Sequence, residues 1–433
     1  MNRIYSCVTG LAREGHRWLK TVLPPLVWRS VPEEIRAKVL RRIVKDVRKR
    51  ASSNNGPSVF FPPAIPWHRP AFQRHHQMAR ALSELGCSVF YHDPMDPVAS
   101  NNPVAQDKRW QMGVEDITKT LHLLRCPRFV LRDIAARAKV NLQFMSWPRH
   151  AAAIADKTST FVVYDICDDN ALAGRTANAE FIRIQQKWVA AADVIVVTAD
   201  RLLETVRPRR PDVILLPNAV RPEDWQMAEP PPIPSDMEQA RRAPVVVGYF
   251  GTVGRWFDWD MWENAARTKA DWAFVLIGGP YDVQGRGYLE RVKAVANIHY
   301  LGRKPYCQLK DYLWHFDVAT IPFLLSAITS ACSPVKLFEY MAGGKPIVAT
   351  RMHEVMKYKS VVLAEDAPGF VHKIEDALTR SKDPAYKALL RAEAAENTWF
   401  SRASMLLQVI ERTREQQGRI PRRHPLRARQ RGI

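Results

Sequence analysis

Short apolar runs alternate along this chain with stretches in which apolar residues return every three or four positions, so strands and helices are predicted in turn. In the first half, strands are expected at 59–61, 88–91, 161–164, 194–198 and 213–216, and a helix at 72–85 ended by Gly86. The second half repeats this grammar. Strands are expected at 245–250, 273–277, 298–301, 318–321 and 347–349, with helices opening near Asp258 and covering 306–316 and 334–341. The strands are continuously apolar rather than alternating, the pattern of parallel strands covered by helices on both faces. The predicted architecture is α/β: two doubly wound parallel-sheet domains facing each other across a cleft, with the ligand at the strand ends.

Turn-forming composition divides the chain further. Ser-Ser-Asn-Asn-Gly-Pro at 52–57 is a polar hinge, and Glu-Pro-Pro-Pro-Ile-Pro at 229–234 is the strongest linker signal. The expected plan is a basic amphipathic extension (1–56), a first domain (57–225), a Pro-rich linker (226–243), a second domain (244–385), C-terminal helices (386–417) placed to return to the first lobe, and a basic tail (418–433).

With 433 residues, 46% hydrophobic and 25% charged, the chain has room for two buried cores. No apolar stretch approaches a bilayer span, and the N-terminus lacks the apolar core of a secretory signal, so a cytoplasmic location is expected. Six cysteines (Cys7, Cys87, Cys126, Cys167, Cys307, Cys332) form no Cys-x-x-Cys pair, which argues against a disulfide framework or a zinc site. No metal motif appears, and no metal is expected.

The net charge of +20 asks for an anionic partner and does not name it. Much of the charge is local. Between 33 and 50, Ile35, Val39, Ile43 and Val47 form an apolar stripe with Leu40 and Val44 beside it, and the segment carries eight Lys or Arg against three acids. Upstream, Trp18, Leu19, Val22, Leu23 and Trp28 are the residue types of a surface-lying membrane segment. The last sixteen residues hold six arginines and no acid. Peripheral binding to the anionic inner face of the cell membrane through 1–50 and 418–433 is one reading; a helix packed on its own domain and a solvated tail is the other.

The most informative stretch for chemistry is Ser-Pro-Val-Lys-Leu-Phe-Glu-Tyr-Met-Ala-Gly-Gly-Lys-Pro, starting at Ser333. Ser333 is a favoured N-cap and Pro334 a favoured first helical residue, so a helix with a free, positive amino end is expected to receive an anion. Lys336 falls in its first turn, beside any bound diphosphate, and Glu339 three residues on can accept from both hydroxyls of a ribose. Gly251-Thr-Val-Gly-Arg255, after a strand, is either a phosphate-approaching loop or a tight turn; Asp258 behind it is equally an N-cap. In the first domain, Tyr164-Asp-Ile-Cys-Asp-Asp169 follows a strand. Asp168 is a candidate general base there, and capping of the next helix by Asp168 or Asp169 is the other reading. His68, in Pro66-Trp-His-Arg-Pro70, is the second candidate base or a structural hydrogen-bonder.

The 333–350 segment resembles the donor-binding signature of GT-B glycosyltransferases, particularly family 4-like bacterial enzymes of cell-surface polysaccharide synthesis. The run from Gly248 to Asp258 is similar to the first strand and loop of their donor domain. The resemblance implies a GT-B fold of two Rossmann-like domains and a nucleotide diphosphate sugar as co-substrate, with no other cofactor. It implies a glycan or polyprenyl-linked acceptor and a donor site of Gly251, Arg255, Ser333, Lys336 and Glu339, with Lys336 on the phosphates and Glu339 on the ribose. Where many family members carry another glutamate, this chain has Ala331, so the stereochemical outcome stays open. The 164–169 run resembles an element of enzymes similar to the xanthan glucuronosyltransferase, which implies Asp168 as base of an inverting displacement. Pro217-Asn-Ala-Val220 resembles the family's hinge. Two alternatives remain: a sugar-nucleotide epimerase of the same fold, and a non-enzymatic basic nucleic-acid- or membrane-binding protein, although the body lacks an aromatic-basic RNA-reading motif.

Overall fold

The computed structural model describes residues 31–54, 56–62, 65–67, 72–94, 112–127, 130–140, 142–148, 160–168 and 179–418. The first lobe runs α1 (Glu33–Ser52), β1 (Ser58–Phe61), α2 (Arg74–Glu84), β2 (Ser88–Pro94), β3 (Gly113–Asp116), β4 (Leu121–Cys126), α3 (Leu131–Ala138), β5 (Leu142–Met145), β6 (Phe161–Ile166), α4 (Ala179–Ala191), β7 (Val194–Val197), α5 (Asp200–Val206) and β8 (Ile214–Leu215). Its sheet has the order β3-β4-β2-β1-β5-β6-β7-β8, parallel except for the β3–β4 pair. The second lobe runs β9 (Val246–Phe250), α6 (Trp259–Thr268), β10 (Ala273–Ile277), α7 (Val283–Val292), β11 (Ile298–Tyr300), α8 (Leu309–Trp314), β12 (Val318–Ile321), α9 (Ala327–Ser330), α10 (Val335–Ala342), β13 (Ile347–Thr350), β14 (Val361–Ala364) and α11 (Ala367–Arg380). Its order is β11-β10-β9-β12-β13-β14, parallel throughout. In each sheet the connections leave the first strand one way and later return on its other side, so a crevice opens at the β1/β5 and β9/β12 boundaries.

The continuously apolar strands are buried on both faces, as β9 shows from Val246 to Phe250. Gly248 is required within it, because a Cβ there would lie 2.1 Å from the Phe316 ring. The chain ends with α12 (Pro384–Glu396) and α13 (Trp399–Gln416). Helix α12 adds Tyr386, Leu390 and Ala394 to the second core. By contrast, α13 adds Trp399, Ala403, Leu406 and Ile410 to the first, beside Met78, Leu82 and Val163. The return crossing lies against the outward one: Val220 N–H donates to Asn397 O (3.0 Å) and Trp399 N–H to Val220 O (2.9 Å).

One local expectation needs correction, and two other segments take a definite form. The 306–316 helix opens as a 3-10 turn (Tyr306–Gln308), and the α-helix begins only at Leu309. Past the prolines of the linker, two 3-10 turns, Ser235–Met237 and Ala240–Arg242, bury Met237 and Ala240 in the second core. The apolar stripe of the basic helix faces protein, since Ile43, Val44 and Val47 pack with Phe60, Phe90 and Leu131. Of the basic tail, 419–433 lie outside the described residues, as does 1–30 at the other end.

Trp399 is 2% exposed and belongs to the first core although it lies past the second lobe in sequence. Trp399→Ala is expected to cost about 3–5 kcal/mol, read as a lower urea midpoint for the first lobe's unfolding.

Candidate functional site

Helix α10 is placed by its aromatic residues. Tyr340 is fully buried, its ring packs edge-on against Phe250 (4.7 Å between centroids), and its hydroxyl accepts from Phe250 N–H (3.1 Å). This ties the helix to the carboxyl end of β9. Gly344, with φ of 65°, then turns the chain into β13. At the other end the N-cap is Pro334, with φ −74° and ψ 117°, and no side chain caps the helix. Ser333 is therefore not the N-cap; it sits one residue earlier, buried, with its carbonyl accepting from Asn218 Nδ2 (2.6 Å). Asn218, in the sequence segment that reads as a hinge, also accepts from Arg74 Nη1 (3.2 Å), so it braces the start of α10 against the first lobe.

The amino end of α10 thus faces the opposite lobe, and part of it is already covered: Val335 packs on the first core. The amides of Val335 and Lys336 have no hydrogen-bond acceptor among the described residues, and the first return bond is Leu337 N–H to Pro334 O (3.1 Å). Lys336 lies half-buried over the loop that follows β9. Its Nζ is 5.2 Å from the Tyr249 ring centroid and 4.8 Å from that of Phe323, and it makes no hydrogen bond or salt bridge among the described residues. Burial holds its ammonium below the usual lysine range. Gly251, with φ of 139°, lies beneath it; a Cβ there would be 2.8 Å from Lys336 Cε. Sequence-distant Gly251 and Lys336 are therefore in contact.

Arg255 lies half-buried in the β9–α6 turn, its backbone N–H donating to Asp282 Oδ2 (3.3 Å). Asp258 caps α6, its side chain accepting from Met261 N–H (2.9 Å). Glu339 is 5% exposed, and burial pushes its carboxyl up to about 7, against the opposing effects of a hydrogen bond from Tyr306 and the nearby Lys336. Tyr306 in turn accepts from Gln77 Nε2 (2.9 Å) on α2, packs tilted against Phe72 (5.3 Å between centroids) and meets the edge of Trp225 (5.6 Å). A chain of contacts thus runs from Glu339 across to the first lobe. Sequence reasoning missed Tyr306 and Gln77, because neither belongs to a motif.

On the first lobe, Asp168 stands exposed two residues beyond β6, near enough to Cys332 that its carboxylate adds to the burial that pushes this thiol up to about 12. Lys336 acts on the same thiol in the opposite sense. Cys332, at the approach to α10, therefore feels both Asp168 of the first lobe and Lys336. His68 and Asp169 lie outside the described residues. At the strand end itself, Asp165 is fully buried and receives Arg74 through Nε (2.9 Å) and Nη2 (2.8 Å).

Among the described residues, Asp200, His353 and Glu354 bring potential ligand atoms within 4.8 Å of one another. The Lys357 ammonium already bridges Asp200 (2.9 Å) and Glu354 (2.7 Å), and Asp200 N–H donates to Glu354 (2.8 Å). This group pins α5 of one lobe to the other lobe.

Residues 246–380 match the family model described as glycosyl transferases group 1. The second lobe is a glycosyl transferases group 1 domain. The chain is also 27% identical over 255 residues to a Bacillus subtilis protein named for teichuronic acid biosynthesis, the glycosyltransferase TuaH. That match covers 55% of this chain and 64% of the relative, so the chain spans under two thirds of that relative's length. Among solved structures, sucrose-phosphate synthase from Thermosynechococcus elongatus aligns with a TM-score of 0.59 at 15% identity, covering 83% of this chain and 99% of that one. The Anabaena protein HepE, in complex with UDP-glucose, aligns with a TM-score of 0.58 at 10% identity over 82% of this chain and 99% of that one. These likenesses show the fold: the group 1 domain is the second half of a GT-B architecture.

The raised Glu339 carboxyl has a consequence for stability. A carboxyl whose folded value lies above its unfolded one binds more protons when folded, so it destabilises increasingly as pH rises from about 4.5 and fully above about 7. Glu339→Gln is therefore expected to stabilise the fold above pH 7 by an amount on the order of 1–3 kcal/mol, read as a higher melting temperature, and to leave stability unchanged below pH 4.5. A pH series of thermal melts of both proteins checks this.

Proposed function

We propose that this protein is a glycosyltransferase that moves a sugar from a nucleotide diphosphate sugar to a glycan or lipid-linked acceptor in surface polysaccharide synthesis. One observation carries the reading: the Lys336 ammonium, without an ion pair, sits over Gly251 at the open amides of α10. A diphosphate placed there would receive the ammonium, the Val335 and Lys336 amides and the positive end of the helix together. As the bond to the sugar breaks, negative charge grows on the β-phosphate, and those same groups stabilise it with no reorganisation. Glu339 would exchange its Tyr306 partner for ribose hydroxyls, accepting from both once ionised. Asp168, exposed on the other lobe and near enough to Cys332 to act on its thiol, would take the acceptor proton. In this reading the cation at the leaving group is Lys336, and Arg255 supplements it.

The names of the similar proteins favour the same class: TuaH is named for teichuronic acid biosynthesis, and HepE holds UDP-glucose. An epimerase of this fold would release product from donor alone, whereas a transferase consumes donor in proportion to acceptor. Lys336→Ala is expected to weaken UDP binding in calorimetry about 10- to 100-fold, with Lys336→Arg recovering part of it. Asp168→Asn should keep UDP affinity and lose turnover, and EDTA should leave the rate unchanged. UDP affinity unmoved by Lys336→Ala would refute the donor assignment.

We further propose that α1 rests on anionic lipid. No helix among the described residues is long and apolar enough to cross a membrane. On α1, Lys38, Arg41, Arg42, Lys45, Arg48 and Lys49 are all exposed. Four of them, with Arg137 of α3, line a groove of about 610 Å³ that contains no acid. Each basic side chain near a charged bilayer contributes roughly 1 kcal/mol. Because the apolar side of α1 completes the first core, neutralisation is a better test than truncation. Arg41, Arg42, Lys45 and Lys49 all changed to Gln should abolish co-sedimentation with phosphatidylglycerol vesicles at low salt without lowering the melting temperature; retained sedimentation would remove α1 from the binding surface.

A further inference from the structure

The first lobe has an unexplained cluster of buried polar side chains at its own switch point. His75, in the first turn of α2, is 6% exposed, and neither ring nitrogen has a hydrogen-bond partner among the described residues; Ser146, one residue beyond β5, is 7% exposed, and its Oγ has none among them either. The two lie on one face of the sheet. Leu142 and Phe144 of β5 share a core with Met78, Ala79 and Leu82 of α2, and the two-residue alternation carried one step further sends Ser146 toward the same helix. Val163 of β6 belongs to that core as well, so Asp165 leaves β6 on this side, where Arg74 meets it. The β5–β6 register ends at the paired Met145 and Tyr164, so Ser146 and Asp165 are the next residues along the two neighbouring strands. His75 feels the Asp165 carboxylate, so the imidazole, the serine and the Arg74–Asp165 pair form one cluster at the β1/β5 crevice.

Buried polar groups are almost always paired, and two orphaned ones in a single crevice indicate a partner that binds there. The chemistry of the cluster narrows that partner. Arg74 is balanced by Asp165, to which Cys167 Sγ also donates (3.2 Å), so no net charge is offered to an anion. Burial lowers His75 to about 4, leaving a neutral ring with one donor and one acceptor. A serine hydroxyl likewise gives and takes. An alcohol does both, whereas a phosphate or carboxylate only accepts.

We propose that His75 and Ser146 form a saccharide-hydroxyl subsite that seats the acceptor sugar in the first lobe. This rests on the glycosyltransferase reading above, for which it supplies the acceptor's anchoring point: Asp168 lies three residues beyond Asp165, at the same strand end. The pair binds and orients, and proton removal belongs to Asp168.

The test uses the full-length protein with methyl glycosides of glucose, galactose, mannose, N-acetylglucosamine and glucuronic acid as probes, with and without saturating UDP. Imidazole 15N resonances and calorimetry are the readouts. At least one glycoside is expected to shift the His75 resonance and to bind at least tenfold more weakly to Ser146→Ala and to His75→Leu, with UDP affinity within twofold of the parent. His75→Gln, which keeps a donor and an acceptor, should recover part of the loss and guards against a packing defect in the leucine variant. The proposal fails if no glycoside moves the His75 signal, if the variants bind glycosides as the parent does, or if a crystal structure with saccharide shows only a water between His75 and Ser146. Failure of the parent to bind UDP would instead strike the donor reading, and the glycoside measurement stands without it.

Discussion

The structure turns on a cation that the fold holds without a counter-ion among the described residues. Retaining an ammonium in a partly buried place is costly unless something negative arrives, and α10 is fixed so that Lys336 cannot leave. Tyr340 anchors the helix to β9, Gly251 lets the lysine stem lie across the loop, and the rings of Tyr249 and Phe323 flank its head. The glycine, the aromatic residues and the helix start look like separate features in the sequence, yet they serve one electrostatic arrangement.

Much of this was legible from residues alone because it is written contiguously. The 333–350 segment carries the lysine, the glutamate and the glycine turn within a few helical turns, and the apolar runs of β9, β10, β12 and β13 are interrupted by no charge. The region from 113 to 145 was not read. There β4 contains His122 and Arg125, which break the apolar pattern, and both are buried because Asp116 hydrogen-bonds His122 (2.7 Å) and Glu115 and Asp93 pair with Arg125 (2.5 and 3.3 Å). A strand whose polar residues are satisfied by distant partners has no periodic signature. The same holds for Tyr306, Gln77, His75 and Ser146, which meet only when separate elements fold together. The Ser333 expectation failed for another reason: Pro334 itself has the extended conformation of a cap, which moves the boundary by one residue.

The departure at position 331 also has a physical reading. Ala331 is 1% exposed and packs with Tyr164, Ile166 and Val197 of the first lobe. A carboxylate there would be stripped of water by the opposite domain. Alanine instead contributes apolar contact where the lobes meet.

The backbone passes between the lobes twice, and the two passages lie in register beside each other at Val220 and Thr398. A body joined at one point can swivel in any direction, but one joined by a short ribbon can bend only across the ribbon's width. Opening and closing should therefore follow a single arc, with the clasp of Asp200, Glu354 and Lys357 marking how far along that arc the jaws have shut.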